Sequence, residues 1–75
     1  MNVPVSIGDK VVVLGSEYIE SMRPVVVDIN WLSNEYRYCI DLLWSNGEES
    51  KVYSSDVNKT WMTENKYAEK LLSLN

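Results

Sequence analysis

Histidine and phenylalanine are missing altogether from this chain, and cysteine occurs once. Without histidine, the side chain that most often moves protons near neutral pH is gone, and a serine or cysteine nucleophile lacks its usual base. The lone Cys39 excludes an intrachain disulfide and a cysteine metal cluster, which suits a reducing compartment and makes the cytoplasm the expected location. Bases are scarce as well: seven Lys and Arg stand against eleven Asp and Glu, for a net charge of −4. They are scattered, whereas a phosphate-driven grip on DNA or RNA needs them clustered. No stretch approaches the ~20 apolar residues of a membrane span, and "MNVPVSIGDK" has neither the basic start nor the apolar run of a signal peptide. Gly-rich phosphate loops and D-x-D-x-D-G calcium loops are lacking too, so Asp9, Asp28, Asp41, Glu48, Glu49 and Asp56 read as solvated charge. The expectation is a non-enzyme with no cofactor, no metal and no catalytic residue.

Aromatic bulk is supplied by Trp31, Trp44 and Trp61 with Tyr18, Tyr36, Tyr38, Tyr53 and Tyr67. Each carries a polar atom that needs a partner when buried. A chain this short buries only about 60% of its unfolded surface, so the core is thin and several rings should sit half in and half out of it. With no repeat, linker or low-complexity tract, residues 1–75 read as one domain.

"SIGDKVVVLG" opens on a Gly-Asp turn signal and runs into a β-branched strand, Lys10 to Leu14, closed by Gly15. After the polar loop "SEYIESMR", Pro24 opens "VVVDINWL", a strand in which Val25, Val27, Ile29 and Trp31 alternate onto one face. The turn "SNE" leads to "YRYCIDLLW", where Tyr36, Tyr38, Ile40, Leu42 and Trp44 share one side and Arg37, Cys39, Asp41 and Leu43 the other. That alternation puts the tyrosine rings inside and Arg37 outside.

Register fixes the next turn. A two-residue loop at Asn46-Gly47 would set Val52 opposite Asp41, on the wrong face. A three-residue loop, Ser45-Asn46-Gly47 with Gly47 left-handed, sets Trp44 opposite Glu48 and Ile40 opposite Val52, restoring an apolar pair. The strand "ESKVYSS" follows. "NKTWMT" then reads as a tight turn and a short last strand, and "TENKYAEKLLSL" as a helix with Tyr67, Leu71 and Leu74 on one side and Thr63 as N-cap. The fold expected is mostly β: a small barrel of about five antiparallel strands over residues 5–62, closed by the last strand, with a short C-terminal helix over 63–74 packed on one mouth.

Residues 7–57 resemble the Tudor branch of the SH3-like barrels. "IGDKVVVL" is similar to that family's opening Gly-x-x-Val-x-Val strand, "IDLLWSNGEE" to its strand ending in an aromatic before an acidic-or-Asn Gly turn, and "VYSSDV" to its closing Val-x-x-x-Asp-Leu pattern. The resemblance implies peptide binding, in its best-known form by an aromatic cage around a methylated cation. Trp44 falls on the strand-end cage position and Tyr18 in the first long loop, the other usual source of a cage wall. The family's next cage aromatic falls here on Ser50. Glu48 and Glu49 would draw in a positive side chain.

Each of these residues also has a purely structural reading. Trp44 can cap the barrel mouth against Tyr53 or the helix, and Trp31, Tyr36 and Tyr38 can be core and core margin rather than a ridge for a peptide. Three functions from different classes follow. The first is a non-enzymatic module holding a protein or peptide, basic in character, on an aromatic surface at Tyr18, Trp31 and Trp44 bordered by Glu48 and Glu49. The second is a small acidic inhibitor or regulator, of the kind phages and mobile elements encode, occupying a basic site on a host protein. The third is a structural or assembly subunit that pairs with a neighbour, including a second copy, through its helix or an open strand edge.

Overall fold

A computed structural model describes residues 3–16 and 23–73, and they form two antiparallel sheets followed by one helix. Strands β2 (Val25–Leu32), β3 (Arg37–Leu43) and β4 (Glu49–Tyr53) make a three-stranded meander, while β1 (Val11–Val13) pairs with β5 (Trp61–Thr63). The β3–β4 turn has the register that burying Val52 demands. Ile40 stands opposite Val52, the Trp44 amide donates to the Glu48 carbonyl at 2.8 Å, and the Gly47 amide donates to the Trp44 carbonyl at 2.9 Å. Gly47 has φ 89°, a left-handed conformation that costs glycine little because it has no Cβ.

In β2 the alternation expected from Val25, Val27, Ile29 and Trp31 is broken. The register with β3 shifts between Val26 and Asp28, a β-bulge in which Val27 is the extra residue. Before the bulge Val26 faces the core with Leu42 and is fully buried; after it, the inward phase passes to Ile29 opposite Ile40. Val27 is left 39% exposed. An inserted residue exchanges faces, so an alternation counted through it is wrong on one side.

Expectations for the aromatics need similar correction. Tyr36 is not inside: it sits in the β2–β3 turn with φ 52° and is 78% exposed. Arg37 is half-buried, its guanidinium 3.8 Å from the centre of the Tyr53 ring. β4 stops at Tyr53, because Ser54–Asp56 winds into a 3-10 turn in which buried Ser54 accepts a hydrogen bond from the Tyr38 amide at 2.9 Å. The Asp56 main-chain carbonyl, in turn, accepts from the Lys59 and Thr60 amides and carries the chain round to β5.

The two sheets meet at one corner. The Gly8 amide donates to the Val26 carbonyl at 2.8 Å, the Val26 amide to Asp9 at 2.8 Å and the Val11 amide to Pro24 at 3.1 Å. Among the described residues no continuous ladder closes the strands into a barrel, since β4 and β5 belong to separate sheets. Between the sheets lies the core, built from Val5, Val11, Val26, Ile40, Leu42, Val52 and Trp61. Trp61 is fully enclosed, and its indole N–H is satisfied by the Tyr53 carbonyl at 2.8 Å. Helix α1 (Glu64–Leu72) starts where expected, with Thr63 accepting from the Lys66 amide, and lies against β1 and β5 without burying any of its own residues.

Candidate functional site

The residues expected to form one binding surface fall into separate places. Trp31 pairs with Tyr38 at the β2–β3 turn, whereas Trp44 follows Leu43, the partner of Val25 at the other end of the ladder. At ~3.3 Å per residue, the backbone positions of the two tryptophans are roughly 20 Å apart along the ladder. Tyr18 lies outside the described residues. Glu48, on the β3–β4 turn beside Trp44, and Glu49, at the start of β4, are exposed, and the Asn46 side-chain oxygen accepts from the Glu48 amide at 3.0 Å. Glu49 turns towards Asp41, Ser50 and Lys51, with which it lines a small hollow.

Trp44 is half-buried and aimed by its neighbour across the turn: its indole N–H donates to Ser50 Oγ at 2.9 Å. The position at which the Tudor pattern carries a further cage aromatic therefore acts here as a hydrogen-bond acceptor that orients the ring. Trp44 does not pack against Tyr53, which pairs with Cys39, five positions before Trp44 along the chain, and carries the Arg37 guanidinium over its ring. The helix is no partner either, since it lies against β1 and β5.

Trp44 lines an open groove of about 440 Å³ with Val25, Val27, Leu43, Lys10 and Arg23. The bulge makes its floor, for it leaves Val27 at 39% exposure close to Leu43, itself 39% exposed. Lys10 reaches the rim because it bridges to Val25 just before β1 begins. Arg23 enters from the residue before buried Pro24. Its guanidinium lies 5.0 Å from the centre of the Tyr67 ring, and its side chain is only 11% exposed. Its ion pair with Glu64 is long, at 4.0 Å. Nε and Nη1, both shut off from solvent, have no hydrogen-bond acceptor among the described residues.

At the opposite end, Trp31 and Tyr38 meet edge to face with ring centres 4.9 Å apart, Trp31 being 47% exposed. Glu35 holds Arg37 there through Nε at 2.9 Å and Nη2 at 2.6 Å, and Ser55 Oγ accepts from Nη1 at 3.0 Å.

Cys39 is buried on the outer face of the meander, 3.7 Å from an Asp41 oxygen. Burial pushes its thiol up from the ordinary value, Asp41 adds to the rise, and Lys51 partly opposes it. It is therefore a thiol at neutral pH rather than a nucleophilic thiolate. Lys51, bonded to the same carboxylate at 3.2 Å, has its ammonium pushed up in turn. No group of three or more potential metal ligands converges among the described residues, and no described helix is long and apolar enough to cross a membrane.

Sequence reasoning missed Lys10, Arg23, Val25, Val27 and Leu43 as groove residues. Arg23 next to Pro24 was a usable signal, because the residue before a proline is held extended and its side chain is thereby aimed. The bulge gave none. Comparison of the chain with protein-family models, with curated proteins and with solved structures returns no match.

Proposed function

We propose that this chain is a non-enzymatic module that binds a protein or peptide segment in the groove beside Trp44, on an SH3-like framework of the Tudor type. Support for the framework comes from element order: a meander of β2, β3 and β4, a 3-10 turn after β4, and a last strand that returns to pair with β1. Main-chain bonds from Gly8, Val11 and Val26 across to the other sheet fit a small barrel wall. The observation that carries the function is the groove itself. Small monomeric proteins seldom leave a Trp, a Leu and a Val together at a concave surface unless something covers them. Trp44 is moreover fixed by Ser50, so a ligand would meet a ring already in place.

The test is selection from a random-sequence peptide library, followed by mapping of the best binder on isotope-labelled protein. Perturbed resonances at Val27, Leu43 and the Trp44 indole are expected, with binding lost in a folded Trp44→Ala variant. Undiminished binding in that variant, or perturbation confined to Trp31 and Tyr36, would remove the groove from the proposal.

A second reading, an assembly subunit, has its own observation in Leu71 and Leu72, which are 46% and 72% exposed at the end of α1. Light scattering decides it: a monomeric mass at high concentration rules out self-assembly.

A further inference from the structure

We propose that the groove selects a partner segment carrying an Asp or Glu beside an apolar residue, so that its ligand is acidic although the protein itself is acidic. This rests on the reading of the chain as a peptide-binding module and names the chemistry of that same site. The charge around the groove departs from that of the whole molecule. The chain has net charge −4, yet among the described residues the charged side chains lining the groove are Lys10 and Arg23, with no carboxylate beside them. Glu48 and Glu49, expected as an acidic border, lie outside the lining. A methylated cation lodged against Trp44 would thus face two positive charges.

Arg23 supplies the stronger reason. Elsewhere Arg37, Lys51 and Lys66 have a carboxylate closer than Arg23 does, at 2.6, 3.2 and 3.8 Å, and their side chains are more open to the water that screens what the pair leaves unsatisfied. Arg23 is largely withdrawn from water, and among the described residues its one ion pair is the long one to an exposed Glu64. A guanidinium so placed is under-compensated, and an unsatisfied buried charge raises the potential of the groove it lines. A carboxylate arriving in the groove gains from the field of that guanidinium, whose Nε and Nη1 stay shut off from solvent, and can bond directly to the exposed Lys10 ammonium. Among the described residues no carboxylate pairs with Lys10, which stands exposed on the same rim as a second cation. The floor of Val25, Val27, Leu43 and Trp44 then takes the adjacent apolar side chain.

The experiment uses the full chain and a random-sequence library of acetylated, amidated peptides, so that only side-chain carboxylates respond. Selected peptides are expected to share an Asp or Glu next to a Leu, Ile, Val, Met or aromatic residue. Resynthesis of the best binder with Gln for Glu and Asn for Asp should weaken it about tenfold or more, the worth of one charge-assisted hydrogen bond. Lys10→Glu, an exposed change that leaves the core untouched, should weaken the original peptide similarly and the neutral one hardly at all, and added salt should lower the affinity of the original alone. Groove binding that is indifferent to the Gln and Asn replacements overturns the carboxylate inference while leaving the module standing. Enrichment of Lys- or Arg-bearing peptides reverses the sign and overturns it too. If no peptide binds at all, the module reading falls first and the inference with it.

Discussion

Trp61 and Trp44 each donate an indole N–H to a nearby oxygen, to the Tyr53 carbonyl at 2.8 Å and to Ser50 Oγ at 2.9 Å. The first is sealed between the two sheets and the second is half-open at the lip of a groove. Nothing in the residue type separates them. The difference lies in what surrounds each ring: Trp61 is on a short strand pressed against β1 and the meander, whereas Trp44 stands one residue beyond the end of β3, where the ladder no longer covers it. A thin core can enclose one indole by placing a strand on either side of it. An indole at a strand end is left with an open flank, and the proposed partner segment would cover that flank.

Mutation should separate the two roles. Trp61→Ala removes the largest enclosed side chain and is expected to cost about 3–5 kcal/mol, comparable to the whole stability of a domain this small. The variant should lack a cooperative transition in urea. Trp44→Ala loses only half-buried surface and a bond whose acceptor can turn to water, for about 1 kcal/mol, and should stay folded while losing peptide binding. Equal destabilisation by the two would mean that Trp44 is a core residue and the groove a by-product of packing.

The next effects concern the turns at the two ends of β3 and the cap of α1. Gly47→Ala is expected to cost about 1–2 kcal/mol, because a Cβ there has open space around it and the penalty comes entirely from φ 89°. Thr63→Ala, which deletes the N-cap of α1, should cost about 1 kcal/mol. Thermal unfolding measures both. Neither should alter groove affinity by more than the loss of folded protein accounts for, which sharpens the distinction between framework and binding surface. At the far end, Tyr36 holds φ 52° while 78% exposed, so it bears backbone strain without burial to offset it. Tyr36→Asn should therefore be neutral or stabilising, by up to about 1 kcal/mol. A clear destabilisation would show that the ring contributes more to the fold than its exposure indicates.

How much of this could be read from the residues alone depends on whether the signal was local. The β3–β4 turn was legible because a single constraint, bringing Val52 opposite Ile40, allows only one loop length with Gly47 left-handed. The helix was legible because Thr63 and the spacing of Tyr67 and Leu71 are cues within a few residues of one another. Val27 was misplaced because a bulge is set by how β2 meets β3 and leaves the "VVVDINWL" pattern looking regular. Tyr36 was misplaced for a related reason: an alternation extended by one residue into a turn assigns a face to a side chain that no longer belongs to the strand. Of the groove, the half-open Trp44 was legible from its strand-end position. The cations opposite it were not, since Lys10 and Arg23 are separated in sequence from Trp44 and meet it only through the β1–β2 corner.

The smallest expected effect sharpens the contrast between the two faces of the meander. Cys39 lies on the outer face yet is covered, and burial raises its thiol above the ordinary value of 9.0. Above that value the unfolded chain ionises Cys39 while the folded chain holds its proton, so the folded state binds more protons and stability must fall as pH rises. The neighbouring ammonium acts in the same direction, because Lys51 is held protonated by Asp41 in the folded state, and that contribution disappears as the solution passes above the lysine's raised value. Urea unfolding at pH 7 and pH 10 should therefore show a loss of stability that Cys39→Ala reduces, whereas Lys51, whose ammonium is raised above an ordinary value of 10.5, adds to the loss only at higher pH. A loss identical in wild type and Cys39→Ala would mean that water reaches the thiol, and that the outer face is as open at its centre as it is at the groove.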